Sequence, residues 1–303
     1  MRVIDKIDNR THIPPGQLKE KPPFPTDMKI EITARCNLAC KNCGYTKKLR
    51  KIGDMPVHVY QGIIEQAKKA GVNELGVFLL GESFILHNLS HYIAVAKEVG
   101  IEYVYLTTNG TLCDPLSLQA VFDAGLDSIK FSLNAGGPVK YKEQTGYDMF
   151  AKVLDNIRWA CENKGKVNVS VSCIYDEAQR VEMEAIKEKV NSWGGEYYYL
   201  PNLNHGGHVK GKYYGNIGRL ENSVPPVPCW ELFNTSRVTW DGWLTMCCFD
   251  HTGKFKVADL TTTKLIDAWH DKKFVNLRRA HLQDKIKGTL CDHCLTHECD
   301  NID

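Results

Sequence analysis

Three cysteines, Cys36, Cys40 and Cys43, stand at CxxxCxxC spacing on the stretch Cys36-Asn37-Leu38-Ala39-Cys40-Lys41-Asn42-Cys43. Thiolates are soft ligands, suited to zinc or to iron–sulfur clusters. Zinc sites usually use CxxC pairs and need a fourth ligand, so three thiols on one short loop suit an iron–sulfur cluster better. A four-iron cluster held by three cysteines keeps one iron free to bind a small molecule.

A second set lies near the other end of the chain. Cys229, Gly242 and Cys247 follow the pattern Cys-x12-Gly-x4-Cys, and Cys291-x-x-Cys294 comes after them. Four cysteines with one CxxC satisfy either a closed cluster or a structural zinc. Cys113, Cys161 and Cys173 have no partners at ligand spacing and read as small core hydrophobes. Cys299 reads as a free cysteine.

The gross numbers fit this chemistry. Twelve cysteines in 303 residues, with no signal-peptide core in Met1 to Arg10, point to metal or catalysis in the cytoplasm rather than to disulfides. The chain is 43% hydrophobic and 24% charged, which excludes extensive disorder. A net charge of +2 gives no electrostatic case for nucleic acid, and no apolar run is long enough for a membrane helix.

The elements that would position the cysteines alternate. Residues 1–25, with Pro14-Pro15 and Lys21-Pro22-Pro23-Phe24-Pro25, read as an extended arm that straps onto the domain. Strands are expected at Met28–Ala34, Glu74–Leu80, Ile101–Thr107, Asp127–Leu133, Val167–Ile174 and Glu196–Leu200. Helices are expected at Pro56–Ala70, Leu89–Val99, Pro115–Ala124, Phe150–Asn163 and Gln179–Trp193. Such alternation over residues 26–201 means a parallel sheet with helices outside. It leaves open whether the sheet is doubly wound or a barrel. Either way, chemistry belongs at the C-terminal ends of the strands, where the Cys36–Cys43 loop falls. Residues 202–228 read as a linker. In 229–303, Val238–Met246 reads as a hairpin with an Asp241-Gly242 turn and Leu265–Gln283 as a helix. If Cys247 lies in a strand and faces a cluster, Cys248 faces the other way, toward the chemistry or into the core.

The CxxxCxxC loop after a first strand resembles the signature of the radical S-adenosylmethionine (SAM) enzymes, and the second set resembles their SPASM and twitch auxiliary domains. The resemblance implies an α/β fold, a partial (β/α)6 TIM-type barrel with a small C-terminal iron–sulfur domain of hairpin plus helix. It implies a [4Fe-4S] cluster on Cys36, Cys40 and Cys43 that binds SAM, and an auxiliary [4Fe-4S] cluster on Cys229, Cys247, Cys291 and Cys294. Leu80-Gly81-Glu82 resembles the family's GGE motif, so Gly81 and Glu82 are carried over as SAM contacts. Asn109 after strand three, and Ser132 and Asn134 after strand four, match polar positions that relatives use on SAM. Where the family has an aromatic before the third cysteine this chain has Asn42, and Tyr45 is the candidate substitute beside the adenine.

The implied activity is generation of a 5′-deoxyadenosyl radical that abstracts hydrogen from a substrate carbon. Size and a single auxiliary cluster resemble carbohydrate-acting members such as the neomycin epimerase. The expected reaction is therefore epimerisation of a sugar or aminoglycoside carbon, with Cys248 returning hydrogen. Glu231, Asp241 and Asp250 are candidate carboxylates for a cationic sugar. The alternatives are two-electron dehydrogenation of a secondary alcohol, as in the related aminocyclitol dehydrogenases, modification of a ribosomally made peptide, or a non-catalytic iron–sulfur or zinc scaffold. The implied partners are a small-molecule substrate and an electron donor such as flavodoxin or ferredoxin.

Overall fold

The computed structural model describes residues 11–47, 49–200, 228–289 and 291–292. Residues 202–227 of the expected linker, Cys294 and Cys299 lie outside the described residues.

Six parallel strands joined by helices come first. Strands β1 (Asp27–Ile30), β2 (Glu74–Gly76), β3 (Tyr103–Thr108), β4 (Ser128–Ser132), β5 (Asn168–Ile174) and β6 (Glu196–Leu200) pair in parallel in sequence order. Helices α1 (Val57–Lys69), α2 (Leu89–Glu98), α3 (Pro115–Asp123), α4 (Pro138–Thr145), α5 (Phe150–Asn163) and α6 (Arg180–Ser192) connect them. Then β7 (Thr235–Val238) adds in parallel to the free side of β1, and β8 (Trp243–Thr245) and β9 (Lys256–Asp259) continue antiparallel. Among the described residues the result is one unclosed nine-stranded sheet, ordered β6-β5-β4-β3-β2-β1-β7-β8-β9. Helices α7 (Leu265–Trp269) and α8 (Lys272–Leu282) end the described chain. No described helix is long and apolar enough to cross a membrane.

Alternation along each strand sorts residues onto two faces. Met28, Ile30, Val104, Leu106, Ile129, Phe131, Val169 and Val171 are buried in the apolar cluster shared with the helices. Each such side chain contributes about 1.5–3 kcal/mol through burial. The other face is polar: Asp27, Lys29 and Glu31 on β1 and just beyond, Ser128, Lys130 and Ser132 on β4, Ser170 and Ser172 on β5. This face is concave. The Tyr105 hydroxyl on β3 donates to Asp27 Oδ1 at 2.6 Å, and Lys29 Nζ donates to Asp27 Oδ2 and to Thr235 Oγ1 on β7, both at 3.2 Å.

Four elements differ from the sequence expectation. β1 stops at Ile30 because the chain changes partner just beyond it: Glu31 N–H still donates to the Val238 carbonyl of β7, but Ile32 and Ala34 bond to Met55 and Gly53. β2 is three residues long, since Val77 to Leu80 turn across the top of the sheet. α4 was not anticipated, although Pro138 at its first turn and the left-handed Gly146 after it (φ 82°) are ordinary start and stop signals. Its apolar stripe is too thin to register as a helical period. The expected helix over 265–283 breaks at His270–Asp271, where the Asp271 carboxylate caps Lys273 N–H at 2.8 Å.

The arm straps onto α7 and α8. Trp269 Nε1 donates to the Pro22 and Pro23 carbonyls at 3.1 and 3.2 Å, and Glu20 pairs with Arg279 through two bonds of 2.7 and 2.8 Å. Arg278, fully buried, lies 3.9 Å from the ring centroids of both Trp269 and Phe274 and donates to the Leu232, Trp269 and Glu20 carbonyls. Arg278→Ala should lower unfolding stability by about 3 kcal/mol, because it orphans buried carbonyls and removes two cation–π contacts. Arg278→Lys should restore little of it, lacking the planar fork. Denaturant titration of the three proteins checks both statements.

Candidate active site

The cluster loop leaves the sheet after Ile30 and returns at Met55, and three neighbours fix its shape. The Lys41 N–H donates to the Gln144 carbonyl on α4 at 2.8 Å, Asn37 Nδ2 donates to Thr111 Oγ1 at 2.8 Å, and Glu82 N–H donates to the Arg35 carbonyl at 2.7 Å. Gly81 makes the last contact possible. A Cβ there would lie 2.2 Å from the Thr33 carbonyl oxygen and 2.7 Å from that of Arg35.

The loop forms one wall of a cavity of ≈ 220 Å³ at the C-terminal ends of the strands. Cys36, Cys40, Asn42 and Cys43 line it, together with Gly81 and Glu82 after β2, Asn109 after β3, and Ser132 and Asn134 at the end of β4. Tyr141, Gln144 and Thr145 on α4 close the far side. The Glu82 carboxylate is buried and accepts from Thr108 Oγ1 (2.8 Å), Asn109 N–H (2.7 Å) and Phe84 N–H (3.2 Å). Two carboxylate oxygens offer about four acceptor sites, so one remains for a donor in the cavity. Burial nevertheless pushes the carboxyl above its ordinary value, since it outweighs these bonds. Asn109 Nδ2 donates to Asn37 Oδ1 at 3.0 Å, tying strand three to the cluster loop. Asn134 adopts a left-handed backbone (φ 55°) that asparagine tolerates, and its Oδ1 accepts from Ile174 N–H at 3.2 Å.

The donor set suits a cluster. Burial pushes the Cys36 thiol up to about 11 and that of Cys40 to about 12, and raises Cys43 as well. Backbone N–H groups oppose this: Leu38 donates to the Cys36 sulfur and Tyr45 to that of Cys43. Such bonds stabilise a ligating thiolate and tune a cluster. Among the described residues no group of three or more His, Cys, Asp or Glu converges to hold one metal ion. A single zinc needs its sulfurs about 2.3 Å from one point. The three thiols share one wall of the cavity, as ligands of one cluster on a single loop do.

The C-terminal segment presses on this loop. The Trp240 ring lies where a Cβ of Gly53 would be (2.4 Å), its Nε1 donates to the Lys51 carbonyl at 3.2 Å, and the buried His251 ring fills the corresponding space over Gly44. Glu31, fully buried, joins the parts: Oε1 accepts from Arg50 Nη2 at 2.5 Å and from Leu80 N–H at 3.3 Å, and Oε2 from Trp240 N–H at 3.2 Å. Tyr45 also serves the loop. Its hydroxyl accepts from Cys36 N–H at 3.0 Å, and its ring lines a separate small cavity with His251 rather than the large one.

The second cysteine set lies around α8 and the end of β8. Cys229 N–H donates to His281 Nδ1 at 3.2 Å, which puts the His281 proton on Nε2, a buried atom with no acceptor in the structure. Burial lowers that imidazole to about 4, so it is neutral. Phe249 N–H donates to Cys247 Sγ at 3.3 Å, again the bond a ligating sulfur receives, and Cys291 is buried. Cys247 and Cys248 are not in a strand, because β8 ends at Thr245 and a turn follows. Strand alternation therefore does not orient the pair. Instead the Cys248 thiol hydrogen-bonds Cys247; that bond and burial push it well above its ordinary value, against the opposing influence of Arg237 and Lys29. Cys248 does not line the large cavity.

The structure thus brings Cys36, Cys40, Cys43, Gly81, Glu82, Asn109, Ser132 and Asn134 to one cavity, and sets Tyr45, Cys229, Cys247, Cys248 and Cys291 apart from it. The carboxylates expected to bind a cationic sugar are engaged. Glu231 pairs with buried Arg237, Asp241 with Lys256, and buried Asp250 accepts from Thr245 Oγ1 at 2.9 Å. Glu31, and the cavity residues of α4, escaped the sequence reading. The one signal for α4 was its Pro138 and Gly146 boundary.

The profile described as the Radical SAM superfamily matches residues 30–190, and an iron–sulfur cluster-binding domain profile, SPASM, matches residues 229–295. An uncharacterized protein, MJ0804, of Methanocaldococcus jannaschii is 37% identical over 131 residues, 43% of this chain and 42% of that one. A probable GTP 3′,8-cyclase of Sulfolobus acidocaldarius is 34% identical over 138 residues, 44% of this chain and 42% of that one. The chain thus spans less than half the length of these curated relatives. Among solved structures, BtrN in complex with AdoMet and 2-DOIA aligns over 91% of this chain and 94% of its own, at 17% identity and a TM-score of 0.62. Streptococcus suis SuiB bound to the precursor peptide SuiA aligns over 90% of this chain and 68% of its own, at 15% identity and a TM-score of 0.68. These likenesses are of fold. The two profiles imply a [4Fe-4S] cluster with SAM and an auxiliary iron–sulfur cluster.

Gly81→Ala should force the Thr33–Arg35 and Leu80–Glu82 backbones apart, since backbone oxygens cannot swing away as a side chain can. SAM affinity of the reconstituted protein should fall at least roughly tenfold, about 1.4 kcal/mol. Equilibrium dialysis measures it, with far-UV circular dichroism unchanged.

Proposed function

Because the chain belongs to the radical SAM superfamily and carries a SPASM-type cluster-binding domain, we propose that it abstracts hydrogen from a carbon of a polar small molecule of sugar or aminoglycoside type, and that the outcome is epimerisation with Cys248 as hydrogen donor. In this reading Cys36, Cys40 and Cys43 hold the cluster that binds SAM, and Cys229, Cys247, Cys291 and Cys294 hold the auxiliary cluster. Gly81, Glu82, Asn109, Ser132 and Asn134 contact SAM. When bound, SAM and its cluster supply the 5′-deoxyadenosyl radical. The protein then holds the substrate over the concave face, excludes water, and returns hydrogen to the opposite side of the carbon.

One observation carries the choice of Cys248. Cys248 lies three residues beyond Thr245, the register partner of Arg237 on β7, which in turn faces Lys29 on β1, and it is not part of the apolar core cluster. A core-packed thiol would be surrounded by the apolar cluster beneath the helices instead. The concave face supports a polar substrate, since hydroxyl, carboxylate and ammonium groups cover it. With Glu231, Asp241 and Asp250 engaged, neutral hydroxyls of the substrate are better matched to this face than a high cationic charge.

The step balances. Cys248 loses a hydrogen atom to the substrate radical, forming C–H and leaving a thiyl radical. One electron and one proton return it to the thiol. Cys247, adjacent in sequence, would bring the auxiliary cluster close enough to pass that electron, drawn from a donor such as a flavodoxin or ferredoxin.

Cys248→Ala should still convert SAM to 5′-deoxyadenosine but should lose at least about 99% of epimer formation, a factor of 10² or more being ordinary for removing a positioned proton or hydrogen donor. In deuterium oxide the wild type should place one deuterium on the inverted carbon, because a thiol exchanges with solvent. Mass spectrometry of products reads both. An undeuterated ketone would point to two-electron dehydrogenation instead, and full epimerisation by the alanine variant would remove Cys248 from the mechanism.

A further inference from the structure

The carboxylate of SAM is an anion that this cavity must receive, yet no Lys, Arg or His stands among the described residues that line it. The nearest fixed charges add to the difficulty. Glu82 is a carboxylate there, and the three cysteines become thiolates on a cluster. Apart from the free iron of the cluster, the wall can therefore offer the SAM carboxylate only neutral donors. Several polar groups on the wall are already committed. Glu82, Thr108 and Asn109 bond to each other, Asn134 Oδ1 to Ile174, and Thr145 Oγ1 donates to the Tyr141 carbonyl at 2.8 Å.

Among the described residues that line the cavity, Tyr141 is the one whose side-chain polar atom is both fully buried and unpartnered. It is 1% exposed, lines the cavity, and its hydroxyl has no hydrogen-bond partner among the described residues. A buried hydroxyl left in that state costs roughly 1–3 kcal/mol, so its partner belongs to what fills the cavity. Burial first, and then Cys40 and Glu82, push the phenol above its ordinary value, so it is protonated and able to donate. Its position is rigid. The ring packs edge-on against Phe150 with centroids 5.8 Å apart, on a helix pinned to the cluster loop through Lys41 and Gln144.

We propose that Tyr141 is a SAM-binding residue of this enzyme, its hydroxyl donating to the SAM carboxylate and taking the place of a cation. The proposal rests on the cavity being the SAM site. A hydrogen bond to a charged group is worth enough that Tyr141→Phe should weaken SAM binding roughly tenfold or more. The phenylalanine ring keeps the Phe150 contact, so the fold is preserved.

The test compares wild type and Tyr141→Phe, both reconstituted anaerobically, by equilibrium dialysis with SAM and with decarboxylated SAM. Iron content is measured in parallel. Expected is a tenfold or greater rise in the SAM dissociation constant, with the decarboxylated analogue bound equally by both proteins and iron unchanged. Equal SAM affinity in the two proteins would overturn the proposal. So would equal weakening for both ligands, which would put Tyr141 elsewhere on SAM, or loss of iron, which would make it a support of the cluster. Failure of the wild type itself to bind SAM would reject the cavity as the SAM site, and this contact with it.

Discussion

A single buried carboxylate organises this molecule. Glu31 sits where β1 gives up its sheet partners, and three segments far apart in sequence converge on its two oxygens: Arg50 on the return limb of the cluster loop, Leu80 at the approach to Gly81-Glu82, and Trp240 at the tip of the C-terminal hairpin. Burial alone drives this carboxyl above its ordinary value, and the Arg50 guanidinium is the main opposing influence. Breaking a buried ion pair by removing one partner is costly because the remaining charge stays buried. The consequence is geometric. The loop bearing Cys36, Cys40 and Cys43 cannot shift without disturbing the segment that leads to Cys247 and Cys248, and neither can move independently of Gly81.

This joint explains why the second cysteine set is not a loose appendage. β7 pairs with β1 along its whole length, so the barrel sheet runs unbroken into the hairpin. Trp240 over Gly53 and His251 over Gly44 then fill spaces that no side chain on those positions would leave. A polar face enclosed in this way differs from the apolar interior of an ordinary barrel. Its hydrogen bonds, Tyr105 to Asp27 and Lys29 to Thr235, brace the strands from within while the apolar cluster holds the helices outside.

Much of this was legible in the sequence because period-2 and period-3.6 patterns are local. α5 and β6 begin and end where their patterns do. The cysteine spacings and Gly81-Glu82 were legible for the same reason, each being a short motif with its own chemistry. What the sequence hid was mostly non-local. Glu31 looks like any polar position on an alternating strand, and only the meeting of three loops makes it a joint. α4 was hidden differently. Its boundary residues were visible, but a helix that buries only Tyr141 and Thr145 carries almost no amphipathic signal. Cys248 was misread in its local structure, since Trp243–Thr245 is too short a strand to carry its alternation to residue 248.

The two hidden features belong together. A loop with three cysteines can be recognised from spacing, but spacing says nothing of which walls face it. Those walls come from Glu31, which sets the loop against β2 and the hairpin, and from α4, which meets the loop through Lys41 and Gln144. A cavity assembled this way gathers its polarity from backbone N–H groups, hydroxyls and amides rather than from fixed cations. Such groups favour an anion only when aimed and desolvated, because each is individually weak. The rigidity that Glu31 and α4 impose is therefore a condition of binding, and not merely of stability.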